Sequence, residues 1–337
     1  MRRLVFLFAL AATPACAEVP RVVTDMPVVQ SLVASVMGEL GSPGVLLDKG
    51  ADAHDFQLRP SQRAALGEAD IVFWIGPEMT PWLDRALEAA SPSGAIALLH
   101  TEGTHTRNFA EAEMDHAGAH DDHDGHDDHD DHDGHDDHDG HDDHDDHDDH
   151  DDHEDTDHGH VHAGLDPHAW LDPANGAVWL DVIADALAAR DPENGETYRA
   201  NAASEKAGLM SLAGEMGAVF ATLPSAPIVV GHDAFGYFAD RFGLSVAASV
   251  AEGDAAAPGA AHLSEIREIL ESGGAACIFP EAGSDPKIIA TLAEGTPARI
   301  GRPLDPSGRS MEPGSGLYTA ILRSTAESIH DCLSAAP

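Results

Sequence analysis

From Pro20 to His100, short apolar runs rich in β-branched residues alternate with stretches whose apolar positions recur at helical spacing. The runs Arg21 to Thr24, Val45 to Leu47, Ile71 to Ile75 and Ala95 to Leu99 are apolar at nearly every position, as strands covered on both faces are. Between them, Pro27 to Leu40, Ser61 to Gly67 and Pro81 to Ala90 predict helices. Strand and helix in alternation predict βα units and a mostly parallel sheet. After Pro224 the pattern returns. Strands are expected at Ile228 to Val230, Leu244 to Val250, Cys277 to Phe279 and Ala298 to Ile300. Helices are expected at Ala234 to Phe242, His262 to Ser272, Pro286 to Ala293 and Gly316 to Cys332.

The pattern therefore predicts an α/β protein of two Rossmann-like lobes, over residues 18–172 and 224–337. Residues 173–223 read as a helical linker. One helix follows Asp172-Pro173 and runs to about Arg190, and Asp191-Pro192-Glu193 opens another that continues to about Leu223. A helix of ~28 residues spans ~40 Å at 1.5 Å per residue. That length suits a rigid strut crossing both lobes.

One stretch obeys neither period. Residues 115–162 hold 22 Asp, one Glu and sixteen of the 23 histidines, in Asp-Asp-His and Asp-Gly-His units with almost nothing apolar. Such a segment cannot bury a core and is expected to be disordered, a surface excursion from the first lobe. Its histidines are His116, His120, His123, His126, His129, His132, His135, His138, His141, His144, His147, His150, His153, His158, His160 and His162. Imidazole mixed with carboxylate suits Zn²⁺ and its first-row neighbours. A segment without fixed geometry would bind several ions weakly.

The formal charge of -42 arises largely in that segment, yet 37 acidic residues elsewhere still face 18 lysines and arginines. Nucleic acid and anionic membrane surfaces both call for clustered Lys and Arg, so neither is an expected partner. At the start, Met1-Arg2-Arg3, an apolar run from Leu4 to Ala12 and Ala15-Cys16-Ala17 read as a signal peptide cut after Ala17. Cys16 also occurs where a lipoprotein would carry its lipid, but Thr13-Pro14-Ala15 lacks the leucine that usually opens such a signal. No later run reaches the ~18 apolar residues of a membrane span. The mature chain keeps Cys277 and Cys332, and an even pair in an exported protein invites a disulfide, with two buried thiols as the alternative.

Outside the insert the histidines are His54, His100, His105, His168, His232, His262 and His330. Ligands of open α/β lobes gather beyond the carboxyl ends of the strands. His54 follows the second predicted strand, His232 ends the strand begun at Ile228, and His168 lies just before the helical linker. Asp285 stands after the strand that ends at Phe279. Two candidates come from each lobe, so a shared ion would occupy the cleft. Taken singly, His54 also fits a surface or capping histidine, and Asp285 ahead of Pro286 is a good helix N-cap. Spacing alone leaves both readings open. No His-Glu-x-x-His helix and no phosphate-binding Gly-x-x-x-x-Gly-Lys-Ser/Thr loop is present.

Several longer runs carry a resemblance. They are Gly50 to Ser61 around Ala53-His54-Asp55-Phe56, Ala69 to Glu78, Asp166-Pro167-His168-Ala169-Trp170-Leu171, His232 to Phe238, and Phe279 to Pro286, together with the acidic histidine insert. The chain resembles the cluster A-I metal-binding proteins of ABC transporters, and among them the high-affinity zinc-uptake, ZnuA-like members. The resemblance implies two βα lobes joined by a rigid helix with the metal between them. His54, His168 and His232 match the family's three strongest ligand positions. Asp285 matches a carboxylate ligand of many relatives, while others use water or another carboxylate. Manganese members tend to carry Glu where this chain has His232, so three histidines favour Zn²⁺. Cys277 and Cys332 resemble the disulfide of zinc members.

Asp55 and Asp233, each following a ligand position, are candidates to orient the imidazoles. The implied function is a monomeric periplasmic binding protein, not an enzyme, that hands Zn²⁺ to a membrane permease served by a separate ATPase. The competing readings are manganese or iron uptake, a metallochaperone or adhesin on the same fold, and a metallohydrolase.

Overall fold

The computed structural model describes residues 19–90, 94–109, 164–251 and 258–335. Residues 1–17, expected to be a signal peptide, and all sixteen insert histidines lie outside them. In the first half, β1 (Val22–Thr24) lies between β2 (Gly44–Val45) and β3 (Ile71–Trp74), and β4 (Ala95–Ala97) pairs with β3. In the second half, β5 (Ile228–His232) lies between β6 (Val246–Ala251) and β7 (Cys277–Phe279), with β8 (Arg299–Ile300) on β7. Every pairing is parallel. Both sheets run second, first, third, fourth, so one topology is used twice.

In the first lobe α1 (Pro27–Met37), α2 (Pro60–Glu68) and α3 (Pro81–Ala90) follow the first three strands. Then come α4 (Pro173–Arg190) and α5 (Gly195–Phe220). In the second lobe α6 (Gly236–Phe242), α7 (Ala260–Glu271), α8 (Lys287–Ala293) and α9 (Leu317–Ser334) follow the strands in turn. Side chains alternate across a strand, and the second sheet shows what this does. Ile228, Val230, Cys277 and Phe279 join a core that continues through the first sheet and α4, α5 and α9. Val229 and Ile278 point the other way, onto Ile266, Leu270, Ile289 and Leu292 of α7 and α8. Each such buried aliphatic side chain contributes roughly 1.5 to 3 kcal/mol by leaving water.

Element ends depart from the sequence reading where side chains intervene. The strand expected to reach Leu99 stops at Ala97 and turns into a 3-10 helix over Leu98–His100. The hydroxyls of Thr101 and Thr104 both donate to the Leu98 carbonyl, at 2.8 and 3.0 Å. The helix expected to run to Leu40 stops at Met37, because Gly38 takes a left-handed φ of 57° and a 3-10 turn follows.

The linker has the expected length and the expected two helices, and the two pack against each other. Asp172 opens α4 as an N-cap, accepting from the Ala174 N–H at 2.8 Å ahead of Pro173. Asp191 closes the turn into α5, accepting from Asn194 Nδ2 at 2.7 Å and from the Tyr198 hydroxyl at 2.8 Å. Burial alone would raise the Asp191 carboxyl, but those hydrogen bonds hold it below its ordinary value. The 26 residues of α5 span about 39 Å, and the helix packs on α1 and α4 as well as on α6 and α9. It thereby reaches both lobes.

Helix α9 returns to the first lobe. Tyr318 donates its hydroxyl to the Trp170 carbonyl at 2.6 Å, and Ser31 of α1 donates to the Ser315 carbonyl at 3.0 Å. A Cβ on Gly176 of α4 would meet the Tyr318 hydroxyl at 2.4 Å, so only glycine permits this crossing. Cys277 and Cys332 form a disulfide joining β7 to the last turns of α9.

Helix α5 carries a correctable weakness. Gly208 and Gly214 lie in its interior with nothing within 4 Å of an added Cβ, and glycine costs about 1 kcal/mol relative to alanine in a helix. Gly208→Ala with Gly214→Ala is expected to stabilise the protein by about 1 to 2 kcal/mol, read as a higher denaturation midpoint.

Candidate metal centre

Each predicted histidine is set by its own local structure. His54 lies in the loop between β2 and α2. That loop leaves the sheet with Leu46 and Leu47 donating to the carbonyls of Thr24 and Asp25, both at 2.8 Å. Asp52 accepts the His54 N–H at 2.9 Å, and Trp82 of α3 donates its indole N–H to the Ala53 carbonyl at 2.7 Å. From the second lobe, Arg309 donates to the Gly50 carbonyl at 2.8 Å. The loop is therefore braced on both sides of its histidine. Below it Asp25 accepts from Met26 and Ile75 N–H groups, at 2.7 and 2.8 Å; burial pushes its carboxyl up to about 7 against those bonds.

His232 is the last residue of β5, as the strand-end rule predicts. Its neighbour Gly231 is needed for backbone approach, since a Cβ there would lie 2.9 Å from the Glu281 N atom. Glu281 Oε2 stands 3.5 Å from His232 Nδ1.

His168 sits in the segment before α4 and is 1% exposed. Asp166 Oδ1 accepts from the His168 N–H at 3.0 Å and meets Nδ1 at 2.9 Å. A carboxylate only accepts, so Nδ1 carries the proton and Nε2 presents its lone pair. The Nε2 atoms of His168 and His54 are both shut off from solvent. The His168 ring lies 5.2 Å from Trp170 and 6.4 Å from Phe109, centroid to centroid.

The three rings converge. Their centroids are separated by 5.8, 6.2 and 5.0 Å, and one nitrogen of each lies within 4.8 Å of the others. Tetrahedral zinc with bonds of ~2.05 Å sets its nitrogens roughly 3.3 Å apart. Closing by no more than about 1.5 Å would let all three share an ion. Among the described residues this is the one such group of His, Cys, Asp and Glu.

Asp285 is not in that group. Its side chain is 61% exposed, accepts from the Lys287 N–H at 3.0 Å and lies 3.7 Å from Lys287 Nζ, the capping arrangement open to it from the sequence. Of the remaining histidines, His100 meets Glu78 at 3.0 Å and His262 meets the Ser249 carbonyl at 2.8 Å.

The carboxylates near the imidazoles include two that the sequence reading did not name. Asp55 is exposed; burial pushes the Asp233 carboxyl up and the Asp166 charge adds to it, while His168 and His232 act in the opposite direction, which keeps Asp233 a candidate neighbour of those rings. Asp166 faces His168, and Glu281 faces His232. The sequence held a signal for Asp166: an Asp two residues ahead of a histidine accepts that residue's N–H in an Asx turn. Asp166→Asn is expected to weaken metal binding about 10- to 100-fold, the usual cost of losing such a partner. The amide would have to accept from Nδ1 with one end while turning N–H groups toward a guanidinium with the other. Chelator competition would measure it, and an unchanged dissociation constant would contradict it.

The zinc-uptake complex component A family, periplasmic, matches residues 22–332. The chain is 50% identical over 326 residues to the high-affinity zinc uptake system protein ZnuA of Paracoccus denitrificans (strain Pd 1222), covering 96% of this chain and 95% of that one. Identity to the protein of that name in Brucella suis biovar 1 (strain 1330) is 38% over 331 residues, with coverage of 98% and 96%. Among solved structures, a zinc-bound ZnuA deletion mutant superposes with a TM-score of 0.70 at 23% identity, covering 95% of this chain and 100% of that one. At that identity the superposition speaks for the fold.

Proposed function

Because the chain belongs to the periplasmic zinc-uptake component A (ZnuA) family, we propose that it captures Zn²⁺ in the cleft between its lobes and delivers it to the permease of an ABC importer. The observation that carries this reading is the convergence of His54, His168 and His232, from three separate segments, within 4.8 Å. Nitrogen donors with one hydrogen-bonded carboxylate behind them suit Zn²⁺ better than Mn²⁺, which prefers more oxygen. Water or a carboxylate such as Asp285 completes the tetrahedron.

The role is binding and release, without turnover. Residues 1–17 direct export and are removed, which puts the mature chain in the periplasm. No helix among the described residues is long and apolar enough to cross a membrane, in keeping with a protein that meets its permease by docking. The lobes run over 18–172 and 224–337, with 173–223 between them.

The insert binds further zinc ions weakly through its sixteen histidines and so raises the local supply. Deleting 115–162 is expected to lower total bound zinc by several equivalents and to leave one tight site. Titration of the full mature chain and the shortened one, with Mn²⁺ and Fe²⁺ as competitors, tests both points. Loss of the tight site along with the insert, or displacement of Zn²⁺ by Mn²⁺ at comparable concentration, would defeat the reading.

A further inference from the structure

We infer that Arg107 is a positioning residue for the metal site, a single guanidinium that holds the carboxylate behind His168 and the helix behind His232 in one register. The inference rests on the zinc-binding reading above and adds to it a residue that touches no metal.

Arg107 lies just ahead of a short antiparallel stem in which Asn108 bridges to Leu165, and its carbonyl accepts from the Asp166 N–H at 2.9 Å. Its Nη1 donates to Asp166 Oδ2 at 2.9 Å, while the other oxygen of that carboxylate meets His168 Nδ1 at 2.9 Å. Its Nε lies 3.1 Å from Asp240 on α6, the helix that follows His232. The Arg107 N–H donates to the Tyr237 hydroxyl at 3.0 Å, and that hydroxyl donates to the Asp166 carbonyl at 2.8 Å. One residue thus joins the His168 segment to α6 through side chain and backbone together.

The two ion pairs differ in weight. Asp166 is 0% exposed and Asp240 is 58% exposed. An exposed pair contributes little, whereas a buried carboxylate that loses its cation is left uncompensated. The Asp166 contact therefore anchors the guanidinium, and the Asp240 contact sets its direction. Lysine, with a point charge in place of a planar fork, cannot serve both.

A glycine marks the path. A Cβ on Gly236, the first residue of α6, would lie 1.4 Å from Arg107 Nη1 and 2.2 Å from its Cζ. Gly236 is not among the residues of positive φ, so its backbone would accept alanine. The side chain it makes room for is Arg107.

The glycine supplies a test that needs no change of charge. Zinc affinity by chelator competition, the visible spectrum of the Co²⁺-loaded protein and the thermal midpoint would be measured for wild type, Arg107→Gln, Arg107→Lys, Arg107→Ala, Gly236→Ala and the Arg107→Ala, Gly236→Ala double variant. Arg107→Gln and Gly236→Ala are each expected to lower affinity about 10-fold, the lower end for an outer partner, and to shift the cobalt bands. Arg107→Lys should recover part of the loss. In the double variant, alanine at 236 should cost nothing beyond Arg107→Ala, because the three atoms nearest that Cβ all belong to the Arg107 guanidinium. Wild-type affinity and spectrum in Arg107→Gln, full recovery in Arg107→Lys, or losses that multiply in the double variant would each overturn the inference while leaving zinc binding intact. A wild-type protein without a tight site would instead overturn the functional reading and the inference together.

Discussion

Alanine in place of His168 is expected to lower zinc affinity by well over a hundred-fold while the protein stays folded. His168 is the most buried of the three imidazoles, and its unprotonated nitrogen is fixed by the Asp166 hydrogen bond to Nδ1. Truncation removes a direct metal bond, which costs more than the roughly 10- to 100-fold lost with an outer carboxylate. It also leaves Asp166 without the ring N–H that it orients. His54→Ala and His232→Ala are expected to follow in the same direction. Their rings are less enclosed, and water can enter the vacated position. Competition against a chelator of known affinity reads the effect, with the thermal midpoint of the metal-free protein as control for folding. Affinity within threefold of wild type for His168→Ala would remove the metal centre proposed here.

Much of the fold is legible because parallel strands buried on both faces are nearly continuous apolar runs. Val22, Val72, Phe73, Ile228 and Ile278 are all sealed in the core, and each falls in a run that the pattern marks. Ends are less legible because they depend on side chains that a hydropathy pattern does not weigh. Thr101 and Thr104 terminate β4 through a carbonyl three and six residues back. The break between the two linker helices is legible at Asp191-Pro192-Glu193, but the partners that hold Asp191 there, Asn194 and Tyr198, become visible only once the chain has folded back.

The proposed metal centre divides along the same line. His54 and His232 stand where strand-end geometry gathers ligands, and a reader of the sequence can place them there. The carboxylates behind them are chosen by tertiary packing. Asp233 is adjacent to His232 in sequence, whereas Glu281, which also stands against that ring, is delivered by β7 from across the sheet. Asp285 shows local chemistry competing with the site, since its carboxylate serves the first turn of α8. Arg107 carries no motif at all; its meaning lies in Gly236, 129 positions later.

Replacing Cys277 and Cys332 together by serine is expected to destabilise the metal-free protein by about 4 kcal/mol, the chain-entropy value for a crosslink that closes a loop of 55 residues. The loss acts mainly on the unfolded chain, because the folded joint keeps other ties. Arg299 of β8 donates twice to the Cys332 carbonyl, at 3.1 and 2.6 Å, and α9 stays clamped to α1 through Ser31 and Tyr318. Zinc stabilises by a different route. At a free concentration a thousand times its dissociation constant, a ligand bound only by the folded state adds about 4.1 kcal/mol. The two contributions are of equal size, so the zinc-saturated serine variant should unfold near the denaturant midpoint of the oxidised, metal-free wild type. Urea titrations of the four species, made on the insert-deleted chain so that unfolded histidines do not hold the metal, check the equality. A serine variant whose zinc-bound midpoint stays well below that of the oxidised metal-free protein would mean that the crosslink also shapes the folded cleft, through β7 and Glu281.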